Sequence, residues 1–163
     1  IVGIVMGSMS DFDCVVETTK LLEEFEIPYE KIVLSAHRTP DETINYARTA
    51  YDRGLKLIIA AAGGAAHLAG VIAGCTTLPV IGIPINATPL NGMDALLSFV
   101  QMPAGIPVAT MAINGAKNAA LFAVQILATK YPELVDKLAD DRKKMQEEVK
   151  AKGEKLAAMR QAQ

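Results

Sequence analysis

The chain carries two histidines, and each stands just beyond a short apolar run. His37 lies in "SAHRTP" (35–40), directly after Tyr29–Leu34 and beside Arg38; His67 closes "GGAAH" (63–67), after Leu57–Ala62. A third polar turn, "GSMSD" (7–11), follows Ile1–Met6. An imidazole titrates near neutral pH and suits general acid or base work. A guanidinium matches a phosphate bidentately. Gly7, Ser8 and Ser10 before a helix N-terminus make an anion site, since free N–H groups and the helix dipole point there.

Each turn also has a plainer reading. "GSMSD" could be a strand-to-helix turn with Ser10 or Asp11 as N-cap. "GGAAHLAG" could be close helix–strand packing with His67 as a satisfied core histidine, and for Ala65, Ala66 and Ala69 packing is the expectation. Arg38 could sit in a structural ion pair. What favours chemistry is convergence. In a doubly wound sheet, ligands bind outside the carboxyl ends of the strands at the switch in strand order, and all three turns belong there.

The elements that must position them follow from periodicity. Apolar runs at Ile1–Met6, Tyr29–Leu34, Leu57–Ala62, Pro79–Ile83 and Val108–Ile113 alternate with helical patterns, which predicts a parallel sheet of strands buried on both faces. Helices are expected near Asp11–Phe25, Ala65–Gly74, Met93–Gln101 and Ala116–Thr129. Another is signalled by "TPDE": Thr39 as N-cap, Pro40 at the first helical position, Glu42 as capping-box partner and Gly54 closing the far end. From Pro132 to about Gln163, the stripe Leu134, Leu138, Met145, Val149, Leu156 and Met159 on a charged helix predicts an arm. The expected organisation is one catalytic domain, 1–130, with 131–163 as its helical arm. No internal repeat or low-complexity linker interrupts it.

Charge sets the function classes. Sixteen basic against eighteen acidic residues give a net charge of −2, with no field for nucleic acid or membrane. Fifteen charged residues fall in 1–53 and sixteen in 130–163, but only Lys56, Asp94 and Lys117 in 54–129. A segment so poor in charge predicts burial against other subunits. Cys14 and Cys75 fit no metal spacing and suit a reducing compartment. With no membrane-length apolar stretch and no basic leader, a soluble cytoplasmic protein is expected, lacking an initiator residue before Ile1. There is no GxxxxGK[ST] loop, GxGxxG turn or GxSxG elbow, and two histidines without clustered acids make a poor metal site. What remains is proton transfer on a small phosphorylated substrate.

In order along the chain, "GSMSD", "SAHRTP", "AAGGAAHLAG", "LPVIGIP", "LNGMDALLSFVQMPAGIPVAT" and "NAAL" resemble the class I N5-carboxyaminoimidazole ribonucleotide mutases of de novo purine synthesis, over most of residues 1–129. The resemblance implies a three-layer, flavodoxin-like, doubly wound α/β fold assembled as an octamer. It implies transfer of a carboxyl group from an exocyclic nitrogen to ring carbon 4 without metal, biotin, ATP or other cofactor. Residue by residue, it implies that Ser8, Ser10 and Asp11, with Gly7, hold the phosphate or ribose hydroxyls of the nucleotide. Ser35 and Arg38, flanking Ala36, would complete the phosphate contact. His37 would be the general acid/base, and His67, with Gly63, Gly64 and Leu68, would shape the base and carboxylate pocket as the second catalytic histidine. Loop 101–107, "QMPAGIP", would approach the site across subunits. Where such members carry proline after "AAHL" this chain has Ala69, which predicts a looser turn.

The alternative within the same fold is direct carboxylation of the aminoimidazole ribonucleotide, whose enzymes generally have lysine in place of Arg38 and lack the glycine-turn histidine. A flavodoxin-like electron carrier would need aromatic residues in the first turn to stack a flavin. A receiver module would need acids after strand one and an Asp after strand three; "GSMSD" offers only Asp11 and "AAAGG" offers none.

Overall fold

The computed structural model of the chain describes residues 1–161. In order they form β1 (Val2–Met6), a 3-10 turn (Met9–Asp11), α1 (Phe12–Glu24), β2 (Tyr29–Val33), α2 (Pro40–Thr49), β3 (Leu57–Gly63), α3 (Leu68–Ala73), β4 (Val80–Ile85), α4 (Met93–Val100), β5 (Ala109–Thr110), α5 (Ala116–Ala128) and α6 (Glu133–Gln161). The chain divides into two compact units within α5, one ending at Ala123 and the other starting at Val124.

All neighbouring strands pair in parallel, in the order β2-β1-β3-β4-β5. This is the flavodoxin-like order, whose switch lies between β1 and β3. Right-handed crossovers put the β1-to-β2 helix on one face and the helices of the opposite progression on the other. Contacts agree: α2 packs on α3, while Thr18 of α1 donates a buried 3.0 Å hydrogen bond to the Ala116 carbonyl of α5. Side chains such as Ile4, Leu57, Ile58, Ile59, Ile81 and Ile83 are fully buried, as central parallel strands require.

Two strands depart from the expected burial and length. β2 is the edge, not a strand buried on both faces, and Glu30 through Val33 are exposed. Its outer chemistry matches an edge: Glu30 pairs with Arg53 at 3.0 Å, and the Lys31 ammonium lies 5.2 Å from the Phe12 ring centre. β5 holds two residues, not Val108–Ile113. Gly82 and Pro84 face the fifth strand, since Met111 and Asn114 donate to their carbonyls at 2.9 and 2.8 Å. Pro84 has no N–H to return, so the ladder stops there.

The helix ends also differ from the sequence signals. Thr39 occupies the N-cap of α2 and Pro40 its first turn, but Thr39 makes no capping bond and there is no capping box with Glu42. Gly54 takes a φ of +91° beyond the helix, as a closing glycine should. Leu90, Met93, Leu97 and Val100 are exposed along one side of α4 and its approach. Along α6, Leu134 is buried, whereas Met145, Val149, Leu156 and Met159 are exposed. Among the described residues no helix is long and apolar enough to cross a membrane.

Candidate active site

The site is built where β1, β2 and β3 end. Leu34 N–H donates to Met6 O and Gly7 N–H to Ala61 O, both at 2.9 Å, carrying the ladders one step past the strands. The three following turns therefore start level with one another. They enclose a cleft of about 390 Å³ lined by Gly7, Ser8, Ser10, Asp11, Ser35, Ala36, His37, Arg38, Gly63, Gly64, His67 and Leu68, all twelve residues singled out in the sequence.

The first turn folds on itself. Ser8 caps the 3-10 turn: its hydroxyl accepts the Ser10 N–H at 3.3 Å, while Asp11 Oδ2 accepts the Ser8 N–H at 3.0 Å. Ser8 thus caps the 3-10 turn, while Asp11 stands at the N-cap position of α1 without a side-chain capping bond. The N–H groups of Gly7, Ser8, Ser10 and Asp11 are engaged within the chain, which leaves the serine hydroxyls and Arg38 as the side-chain donors an anion here would meet. Asp11 is buried at 3% exposure. Burial pushes its carboxyl above the ordinary 3.8, against the opposing pull of the Ser8 N–H, the Ser10 hydroxyl and the Gly7 N–H.

The second turn is tied at its base. Thr39 Oγ1 accepts the Ser35 N–H at 2.9 Å and donates to the Ser35 carbonyl at 3.1 Å, and Thr39 N–H reaches the same carbonyl at 2.8 Å. The hydroxyl expected to cap α2 instead cinches 35–39, leaving His37 and Arg38 at the apex. Ser35 Oγ accepts from Arg38 N–H and Nε at 3.2 and 3.4 Å. The ion pair found among the described residues, Arg53 with Glu30, leaves Arg38 unmatched by a carboxylate.

The third turn depends on glycine. A Cβ on Gly63 would stand 2.6 Å from the Ala87 Cβ and 3.0 Å from the Ile85 carbonyl oxygen, and Gly64 has a φ of +66°. Only a bare backbone passes under the β4–α4 connection here. Ala66, Leu68 and Ala69 are buried, in line with packing, but Ala65 is exposed and lines the cleft, so packing does not explain it. The turn delivers His67 to His37: Nε2 of His37 and Nδ1 of His67 are 2.7 Å apart, with the rings edge-on at 87° and their centroids 4.8 Å apart. In such a contact one nitrogen carries the proton and the other the lone pair. Two imidazolium rings could not both keep it.

The sequence reading missed Ala87 and Thr88, which close the fourth side of the cleft. The same rule that selected the other turns, a polar loop after a parallel strand, points to "NATPLNG" after β4. Within its own chain, Met102 of loop 101–107 lies against Gly70 of α3, its sulfur 3.3 Å from where a Cβ would stand, outside the residues that line the cleft. Among the described residues no three His, Cys, Asp or Glu side chains gather to hold a metal ion.

Residues 1–148 match the AIR carboxylase family. The chain is 55% identical over 159 residues to the N5-carboxyaminoimidazole ribonucleotide mutase of Pyrococcus horikoshii, covering 98% of this chain and 90% of that protein. It is 52% identical over 158 residues to the mutase of Bacillus subtilis, covering 96% and 98% respectively. Among solved structures it resembles Treponema denticola PurE with a TM-score of 0.82 at 29% identity, over 91% of this chain and 92% of that one.

The raised Asp11 carboxyl has a signed consequence. A folded-state pKa above the unfolded one means that the stability it contributes is complete below the unfolded value and is lost as pH rises through the folded one. The unfolding free energy of the protein minus that of Asp11→Asn should therefore fall as pH rises from below the ordinary 3.8 into the neutral range. Urea unfolding across that range measures it, and a difference that grows with pH would contradict the assignment.

Proposed function

The chain belongs to the AIR carboxylase family, and from that premise we propose that it interconverts N5-carboxyaminoimidazole ribonucleotide and its 4-carboxy isomer in purine biosynthesis. The observation that carries the reading is the 2.7 Å His37–His67 contact across a cleft that also presents Arg38 and three serine hydroxyls. Acid–base chemistry and recognition of a phosphorylated sugar thus share one pocket.

The reaction balances with one proton carrier. His37 donates a proton to the carbamate nitrogen; the C–N bond breaks with its electron pair left on nitrogen, giving the amine and carbon dioxide. The enamine-like ring then attacks that carbon dioxide through carbon 4, forming the C–C bond. The proton on carbon 4 returns to His37, and the isomerisation is net neutral in protons and electrons. An imidazole suits both transfers because its ordinary pKa lies near working pH. His67, facing His37 Nε2, couples the protonation of the two rings, since only one of the facing nitrogens carries the shared proton in the resting site. Arg38 and Ser35 hold the phosphate, Ser8, Ser10 and Asp11 the phosphate or sugar hydroxyls, and the Gly63–Leu68 turn faces the base. Direct carboxylation, the alternative, would require capturing carbon dioxide from solution.

Assembly belongs to the same proposal. The exposed Leu90, Met93, Leu97 and Val100 lie in the segment with only three charges, and His37, Arg38 and His67 stand exposed at the cleft rim. Packing between copies would bury the first group and wall in the second, consistent with an octamer. Light scattering at low micromolar concentration should give an oligomer larger than a dimer; a monomer would defeat this.

Replacing His37 removes the proton carrier and leaves the cleft. His37→Asn should lower turnover by about 100-fold to 10,000-fold with nucleotide binding retained, measured by product absorbance and by calorimetry. Near-normal turnover would remove His37 from the mechanism.

A further inference from the structure

The cleft wall missed in the sequence has its own internal fastening. Thr88 Oγ1 donates to Asp94 Oδ2 at 2.6 Å and accepts the Leu90 N–H at 3.2 Å. Asp94, in the first turn of α4, also takes the Ala95 N–H at 2.9 Å. The Thr88 hydroxyl chiefly, with the Ala95 N–H adding to it, holds the Asp94 carboxyl below its ordinary value, so it stays an acceptor at neutral pH. Asp94 is one of three charged residues across 54–129. With the hydroxyl spent on this latch, the other branch of Thr88 is placed: its Cγ2 is 3.6 Å from where a Gly64 Cβ would stand. Ala87 covers Gly63 in the same way, its Cβ 2.6 Å from the corresponding point. The side of the cleft over the glycine turn is therefore lined by methyl groups.

We propose that the Thr88–Asp94 latch turns the Thr88 methyl, not its hydroxyl, toward the Gly63–Gly64 turn, making Thr88 the apolar wall that retains carbon dioxide between its release and recapture. Asp94 is the positioning residue that holds Thr88 in that rotamer. The inference rests on the carboxyl-transfer reading, in which loss of carbon dioxide leaves a decarboxylated nucleotide as a dead-end product. A methyl gives the departing molecule no hydrogen bond and admits no water, whereas an inward hydroxyl would do both.

The test feeds the carbamate nucleotide to the full-length protein and counts, per carboxylated product, the decarboxylated nucleotide released. Thr88→Ser keeps the latch and removes the methyl; Asp94→Ala frees the hydroxyl to turn inward; each should raise the released fraction about tenfold, the scale of one missing methyl in an apolar pocket. Thr88→Val carries methyls on both branches and needs no latch, so its released fraction should stay within about twofold of the parent. The deciding variant combines Asp94→Ala with Thr88→Val. Its released fraction should return to the parent level although its melting temperature stays as low as that of Asp94→Ala, which a merely structural role for Asp94 could not produce. An unmoved fraction in Thr88→Ser, or a combined variant that leaks like Asp94→Ala, would overturn the proposal. A parent protein unable to convert the carbamate would overturn the carboxyl-transfer reading and this inference with it. Conversion by the parent with unmoved ratios would overturn the Thr88 assignment alone.

Discussion

Leu34 N–H to Met6 O and Gly7 N–H to Ala61 O, each 2.9 Å long, extend the ladders between β1 and its two neighbours by one bond. Parallel pairing forces three strands to end at one edge, and these bonds make them end at one level. Everything in the cleft inherits that alignment. The self-capped Ser8–Asp11 turn, the cinched Ser35–Thr39 turn and the glycine turn each begin from it, so the 2.7 Å meeting of His37 and His67 joins residues thirty positions apart. Around this frame each turn is rigid for its own reason: a buried carboxylate, a threonine bonded back onto its own strand end, and a backbone too crowded for a Cβ at Gly63.

The site pairs two kinds of surface. Near β1 and β2 it is polar, with serine hydroxyls and a guanidinium that no carboxylate among the described residues neutralises. Near β3 and β4 it is glycine, alanine and threonine methyl. That division suits a substrate with an anionic, hydroxylated end and a reacting end that passes through a small, weakly polar intermediate. General acid–base catalysis needs the imidazoles at the boundary between the two, and there they stand.

Much of this was legible in the residues. Apolar runs of β-branched side chains gave the parallel sheet, and the topological rule for its carboxyl edge picked out the three turns that line the cleft, with Leu68 added by the family resemblance. The misses have physical causes. Tyr29–Leu34 looked buried because its ends are apolar, yet Glu30 and Lys31 in its middle mark the edge it forms. The fifth strand looked longer than it is because a missing proline N–H acts on the neighbouring strand, not on the one being read. Thr39 has the residue type of a cap, but type does not say whether its hydroxyl turns forward to α2 or back to Ser35. The Ala87–Thr88 wall contains no residue that advertises chemistry; its part depends on a hydroxyl being occupied elsewhere, which only geometry reveals.

In the proposed reaction one cleft both releases and recaptures the carboxyl carbon. The most direct test supplies the carbamate nucleotide labelled at that carbon, in a large excess of unlabelled bicarbonate, without metal or ATP and with a chelator present, and follows the label by NMR. The 4-carboxy product should keep the label, because the carbon dioxide released in the pocket is captured before it exchanges with solution. A product carrying the unlabelled carbon of the medium would contradict it and indicate a site that carboxylates from solution.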